Sequence, residues 1–151
     1  MRVRHSHGLA LTEVLVAAAL LAVGLLGQLA ALAAAIRTER EAAQLATAAT
    51  VAADIGERIR ANPGAAPGYA LDPAALPATG TDCALATPFD ASMRSTCDLD
   101  EWQREVAAAL PGAGIKIVTA AAGTGSVLCT ITIRWATQDP GGAMYTLQLQ
   151  V

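Results

Sequence analysis

From Gly8 to Ile36 the chain reads GLALTEVLVAAALLAVGLLGQLAALAAAI, and nearly every side chain in this stretch is apolar. A helix needs about 20 apolar residues to cross a bilayer core of roughly 30 Å, so the stretch is long enough to span a membrane. Glu13 is its only charged residue. A carboxylate inside a bilayer costs about 2.5–3.5 kcal/mol near the centre, which makes Glu13 a candidate functional residue.

The residues before this stretch are short, polar and basic. Arg2 and Arg4 lie in residues 1–7, which contain no acidic residue. The positive-inside rule therefore predicts a cytoplasmic N-terminus, with the following chain on the other side of the membrane. An ordinary signal peptide has a shorter apolar core with a cleavage site after it. Here the possible processing point, Gly8, comes before the apolar run, and this pattern alone is also typical of a plain signal anchor.

The helical pattern continues beyond the apolar stretch. The charged sequence RTERE at residues 37–41 marks emergence into water, and an apolar stripe then recurs at spacings of three and four. Asn62-Pro63-Gly64 ends the pattern. We predict one helix from about Ala10 to Ala61, with a domain packed on the stripe formed by Leu45, Ala48, Ala49, Ala52, Ile55 and Ile59.

The remaining sequence predicts a small head. Residues 63–82 are rich in Pro, Gly and Ala and are expected to be irregular, as is the stretch from Cys83 to Cys97. Asp98 and Glu101 have the spacing of a capping box, which predicts a helix from Leu99 to Leu110. The expected inward side chains of this helix are Leu99, Trp102, Val106 and Leu110.

Three segments after this helix alternate between apolar and polar residues, as strands do. Glycine-rich turns at residues 123–125 and 139–142 separate the second strand from its neighbours. We predict an α+β fold, in which a long N-terminal helix lies on a three-stranded antiparallel meander with one extra short helix. The expected inner face consists of Ile115, Ile117, Val127, Cys129, Ile131, Ile133, Trp135, Tyr145, Leu147, Leu149 and Val151.

The composition offers little support for an enzyme. Both histidines lie in residues 1–7, the cysteines are too widely spaced for a metal pair, and no phosphate-binding loop is recognisable. We therefore expect no catalytic residues, no metal and no cofactor. The net charge of −3 argues against nucleic-acid binding, because phosphate contacts need clustered Lys and Arg. The acidic group Asp98, Asp100 and Glu101 is interpreted as a helix cap and a solvated face.

The chain has three cysteines, all after the apolar stretch, and export would permit one disulfide. We favour Cys83–Cys97, which closes a loop of moderate length worth about 3 kcal/mol in the chain-entropy model. Cys129 then remains as a small buried apolar residue. The pairs Cys97–Cys129 and Cys83–Cys129 stay open as alternatives.

Gly8 is followed by an apolar residue, by a glutamate five positions later and by a long apolar helix. This arrangement resembles the class III leader of type IV prepilins and pseudopilins. The resemblance implies that a membrane-embedded prepilin peptidase cleaves the Gly8–Leu9 bond and methylates the new N-terminus at Leu9. It also implies that Glu13 neutralises the new amino group, from its own chain or from a neighbouring subunit.

Further segments are similar to the PilV family of minor pilins, at residues 15–27, 52–63, 98–102, 110–112 and 132–135. The resemblance implies a type IV pilin-like fold with a leader at residues 1–8 and a transmembrane and assembly segment at 9–36. An amphipathic half-helix at 37–62 and a globular head at 63–151 would complete it.

The resemblance also implies a function and a location. The chain would be a minor pilin of a Gram-negative type IV pilus, which enters the fibre or its initiating tip complex and supports adhesion and motility. It would cross the inner membrane once, with a periplasmic head, and then reach the pilus at the cell surface. Its partners would be prepilin peptidase, other minor and major pilins and the inner-membrane assembly platform.

Three other interpretations remain open at this point. A minor pseudopilin of type II secretion would share the same leader, helix and class of head. A membrane-anchored binding module that never assembles would keep its leader, whereas a pilin would lose it. DNA uptake at a pilus tip would use a basic patch such as Arg94 with Arg104, and the acidic balance of the chain argues against it.

Overall fold

A computed structural model describes residues 7–72, 83, 90–123 and 125–151, with side chains from residue 11 onward. Its helices are α1 (His7–Ala61), a 3-10 helix (Pro63–Tyr69) and α2 (Ala91–Ala109), and its strands are β1 (Gly114–Ala121), β2 (Val127–Trp135) and β3 (Ala143–Gln150). The predicted α+β, pilin-like class is confirmed. The chain divides into two compact units, residues 1–41 and 42–151, and α1 contributes residues to both.

Helix α1 begins at His7, three residues before the predicted Ala10, and ends at Ala61 as predicted. Pro63 explains the end, because proline has no backbone N–H and clashes with the preceding turn of a helix. In the second unit the helix buries one face against the head, formed by Ala48, Val51, Ala52, Ile55 and Ile59.

The predicted stripe was wrong at its first residue. Leu45 is 48% exposed. The neighbouring Gln44 is half-buried instead, and its side-chain oxygen accepts a hydrogen bond of 3.3 Å from Nε1 of Trp135. At this turn the inward residue is the polar Gln44, because it accepts the N–H of the buried Trp135 indole. A prediction based on apolar spacing therefore chose Leu45 instead.

The three strands form one antiparallel sheet in the order β1-β2-β3, which confirms the predicted meander. A side chain added at Gly56 of α1 would place its Cβ 3.3 Å from Cδ2 of Leu149, so helix and sheet lie in close contact there. The buried inner face of the sheet consists of Ile115, Ile117, Cys129, Ile131, Ile133, Trp135 and Leu149.

The turn between β2 and β3 requires glycine at position 142. Gly142 has a φ of 64°, and a Cβ on it would lie 2.7 Å from the carbonyl oxygen of Trp135. Any other residue would therefore be strained by its backbone conformation and would also clash with the strand. The glycine-rich turn predicted at residues 139–142 is confirmed.

Two predictions about the segments before the sheet were wrong. Residues 63–69 form a 3-10 helix where irregular loop was expected. Helix α2 begins at Ala91, eight residues before the predicted Leu99, and its N-cap is Asp90 rather than Asp98. The side chain of Asp90 accepts hydrogen bonds of 3.0 Å from the backbone N–H groups of Ser92 and Met93.

The first two turns of α2 were not predicted, because the residues that they bury are polar. Ser95 and Asp98 are the buried members of the segment before Leu99. No apolar period therefore marks this segment as helical. The predicted inward residues Trp102, Val106 and Leu110 are buried, and Leu99 packs beside them.

A disulfide joins Cys83 to Cys97, with a Cα–Cα distance of 5.6 Å, and Cys129 is buried without a disulfide. The favoured pairing of the three alternatives is therefore the one present. Cys97 lies inside α2 rather than in the irregular stretch predicted for it. The predicted loop residues 73–82 and 84–89 lie outside the described residues.

Candidate functional site

The first candidate site is the apolar surface of α1 in the first unit. Every side chain described there is exposed, and the helix contains an 18-residue window with a mean hydropathy of 2.3 and no buried residue. By length and composition the helix is able to cross a membrane, so it is compatible with a membrane anchor. The exposed large side chains between residues 11 and 36 are Leu11, Val14, Leu15, Val16, Leu20, Leu21, Val23, Leu25, Leu26, Leu29, Leu32 and Ile36.

Glu13 is the only charged residue on this surface before Arg37. Its neighbours on the same face include Val16, Ala17 and Leu20, so the carboxylate lies among apolar groups. Such a surface offers an apolar neighbour a large contact area and one charged group that requires a partner in an apolar environment.

The Gly8–Leu9 bond lies in the first turn of α1, since the helix begins at His7. The first N–H groups of a helix have no partner within it, so this turn has fewer backbone hydrogen bonds than the middle of the helix. Leu9 and Glu13 are four residues apart, which places their Cα atoms on one face and about 6 Å apart along the axis. A positive charge on the nitrogen of Leu9 would therefore lie close to the Glu13 carboxylate.

The second candidate site is a polar cluster in the head, where the end of α1, the 3-10 helix and α2 meet. Arg58 is its centre. The guanidinium binds Asp54 at 3.0 Å, Glu101 at 2.8 Å and Asp98 at 3.4 Å. It also lies over the ring of Trp102, with its carbon 5.9 Å from the ring centroid, in the range of a cation–π contact.

A chain of buried hydrogen bonds continues from Asp98. The hydroxyl of Tyr69 donates to Oδ2 of Asp98 at 2.8 Å. The side-chain amide of Asn62 donates to that hydroxyl at 3.1 Å and to the carbonyl oxygen of Ala91 at 3.0 Å. The cluster therefore fixes the start of α2 against the end of α1.

The electrostatics of the cluster follow from its burial and pairing. Desolvation of the buried phenol, with the hydrogen bond to Asp98 adding to it, raises the pKa of Tyr69 to about 12. The hydrogen bond to Glu101 raises the pKa of Arg58. Both groups stay protonated at neutral pH, so Tyr69 keeps its hydrogen bond to Asp98 and Arg58 keeps its ion pairs.

We expect the head to lose stability when the pH rises from about 10 toward 12. The folded state raises the pKa of Tyr69 from 10.0 to about 12, so it holds this proton more tightly than the unfolded state does. The contribution is complete below pH 10, is lost as the pH rises toward 12 and is on the order of 2 kcal/mol. Urea unfolding at pH 9 and pH 11.5 measures it. Tyr69→Phe should abolish this part of the pH dependence, whereas Tyr145→Phe should retain it.

Sequence reasoning interpreted Asp98, Asp100 and Glu101 as a helix cap and a solvated face. The cap was wrong, whereas Glu101 is exposed as expected. Asp98 is buried and accepts hydrogen bonds from Tyr69 and Arg58, while Glu101 pairs with Arg58. Arg104 pairs with Asp100 along α2. Within the described residues, no group of three His, Cys, Asp or Glu is arranged to hold a metal ion.

No protein-family model, curated protein sequence or solved structure matches this chain. The candidate function therefore depends on the residues themselves and on their arrangement.

Proposed function

We propose that this chain is a minor pilin of a type IV pilus, of the PilV type, which is processed by prepilin peptidase and built into the fibre or its initiating complex. One observation carries the proposal: an exposed apolar helical surface bears a single carboxylate, Glu13, four residues after Leu9. A membrane anchor requires only the apolar length of the helix, and the Glu13 carboxylate would not improve its insertion. In a subunit with a new N-terminal amine at Leu9, the apolar helix would pack in the fibre and Glu13 would pair with the amine.

The assembly step follows from the physics of the helix. In the membrane, lipid covers the apolar surface, and in a fibre the helices of neighbouring subunits would cover it. Desolvation offsets much of the attraction between the Leu9 amine and Glu13. The pair would therefore fix the register between neighbouring subunits more than it would increase their affinity. A subunit placed out of register would leave both charges unpaired in an apolar environment, at a cost of several kcal/mol.

The proposal includes a route through the cell. The chain would enter the inner membrane with residues 1–8 in the cytoplasm and the head in the periplasm, which agrees with the Cys83–Cys97 disulfide. Prepilin peptidase would remove residues 1–8. The assembly platform would then move the subunit into a fibre with other minor and major pilins.

We expect Gly8→Val to block processing. A branched side chain at the residue before the cleaved bond would obstruct a peptidase site shaped for glycine, so the variant should remain as full-length precursor. Immunoblots of membranes from cells that express prepilin peptidase measure the two forms. The matched control Ser6→Val adds a branched residue two positions earlier and should leave processing complete. Mature protein of normal size from Gly8→Val would contradict cleavage at this bond.

Fibre incorporation separates a pilin from an anchored binding module. We expect mass spectrometry of sheared and purified pili to find peptides of the head, together with an N-terminal peptide that begins at Leu9. A processed chain found only in membranes, with none in the fibres of a piliated strain, would contradict the proposal.

A further inference from the structure

The outer face of the sheet carries two cations that have no partner within the described residues. The second unit, residues 42–151, contains six Lys and Arg residues in all. Arg58, Arg60 and Arg104 form ion pairs with carboxylates, and Arg94 is engaged as well. The two that remain, Lys116 and Arg134, are both exposed and both lie on the outer face of the sheet.

Lys116 and Arg134 share one groove, of about 220 Å³, which is lined by Gly114, Lys116, Thr132 and Arg134. In the register of β1 and β2, Lys116 lies opposite Thr132 and Gly114 lies opposite Arg134. The two cations are thus diagonal neighbours, roughly 7–8 Å apart or somewhat less between Cβ atoms, so both side chains can reach one acidic group between them. Gly114 has no side chain to fill the space opposite Arg134.

No carboxylate on the three strands balances the positive charge of the groove. The three strands contain no acidic residue, although the whole chain has a net charge of −3. Asp139 lies in the turn after β2 and lines a neighbouring pocket together with Arg134. The groove is therefore complementary to an anion, and its position on the outer face leaves it open to a ligand in solution.

We propose that this groove binds the acidic group of an anionic polysaccharide, a uronate or a sulfated sugar. Next to the cations, the hydroxyls of Thr132 and Thr146 lie 3.4 Å apart, and Thr130 and Gln148 follow along the same face. Hydroxyl and amide groups both donate and accept hydrogen bonds, as the hydroxyls of a sugar do. The carboxylate or sulfate of such a sugar would pair with the two cations, and its hydroxyls would bond to the neighbouring Thr and Gln side chains.

A nucleic acid fits this face less well. Single strands bind on exposed aromatic platforms, and duplexes require many phosphate contacts. Tyr69, Trp102 and Trp135 are buried, and the alternation of β3 places Tyr145 toward the inner face. The described residues offer this face two cations and no stacking ring. The inference holds whether the chain assembles into a fibre or stays in the membrane.

The test uses the full-length chain in neutral detergent and measures binding to polygalacturonate, chondroitin sulfate and neutral dextran at 50 mM salt. We expect binding to the two acidic polymers and none to dextran. Chondroitin sulfate carries both a uronate carboxylate and a sulfate, so tighter binding to it than to polygalacturonate would assign a sulfated ligand. Equal or tighter binding to polygalacturonate would assign a carboxylate ligand. Raising the salt to 200 mM should weaken binding about tenfold, as two neutralised charges predict.

The variant Lys116→Gln/Arg134→Gln should weaken binding about tenfold, since each exposed ionic contact contributes a few-fold at low salt. The control Arg60→Gln/Arg104→Gln removes the same net charge from two exposed, paired arginines away from the sheet, and should bind within twofold of the parent. Equal losses in both variants would overturn the proposal, because net charge would then explain binding. Equally tight binding of poly-glutamate or a 30-nucleotide poly-dT strand would overturn the assignment to a polysaccharide.

Discussion

Glu13→Ala is expected to be processed normally and to be almost absent from fibres. The substitution leaves the Gly8–Leu9 bond and the apolar surface intact, so precursor and mature protein should reach the membrane in parental amounts. In the assembled state it would leave the amine of Leu9 without its carboxylate. Breaking a buried charge pair by removing one partner costs about 3–5 kcal/mol, which corresponds to a loss of a hundredfold or more in incorporation.

The measurement is the ratio of the chain in sheared fibres to the chain in membranes, by quantitative immunoblot. Glu13→Gln keeps the size of the side chain and should be nearly as defective, which separates charge from shape. Glu39→Gln removes a carboxylate from the same helix beyond the apolar stretch and should incorporate normally. Parental incorporation of Glu13→Ala would exclude the proposed charge pair, and failure of Glu39→Gln as well would indicate a general effect of charge on the helix.

Asp98→Ala is expected to produce the largest loss of stability in the polar cluster. Asp98 is 9% exposed, accepts the Tyr69 hydroxyl at 2.8 Å and lies 3.4 Å from Arg58. Its removal leaves a buried phenol without its acceptor and weakens the contact between α1 and α2. We expect a loss of about 2–3 kcal/mol in the free energy of unfolding.

Asp100→Ala is the matched control for this prediction. Asp100 lies two residues further along α2 and pairs with Arg104, whose side chain is 70% exposed, so the pair is worth less than about 1 kcal/mol. Urea unfolding of the full chain in detergent measures both variants through Trp102 and Trp135, the only tryptophans, which are both in the core of the head. Equal losses for Asp98→Ala and Asp100→Ala would contradict the role of the cluster.

The regular parts of this fold could be predicted because each has one apolar face. Alternation in β2 placed Cys129, Ile131 and Ile133 inward, and the spacing of Ala52, Ile55 and Ile59 placed α1 on the head. Pro63 and Gly142 marked an end and a turn for local backbone reasons. Such signals depend on residues that are close together in the sequence, so they can be detected from the sequence alone.

The polar cluster could not be predicted, because its partners are far apart in the chain. Arg58 and Glu101 are 43 residues apart, and Tyr69 and Asp98 are 29 apart. Asp98 has the spacing of a capping residue when only its neighbours are considered, and the fold gives it a buried role instead. The candidate site at Gly8 and Glu13 could be proposed from the sequence because its spacing is local. It stays a prediction, since its proposed partner, a new amine at Leu9, forms only after cleavage.

Leu9 is expected to become the N-terminus beside Glu13, and the intact mass of the chain purified from its own membranes measures whether it does. We expect a protein that lacks residues 1–8, begins at Leu9 and carries one added methyl group. A chain that still begins with Met1-Arg2-Val3, in cells where prepilin peptidase is active, would contradict it.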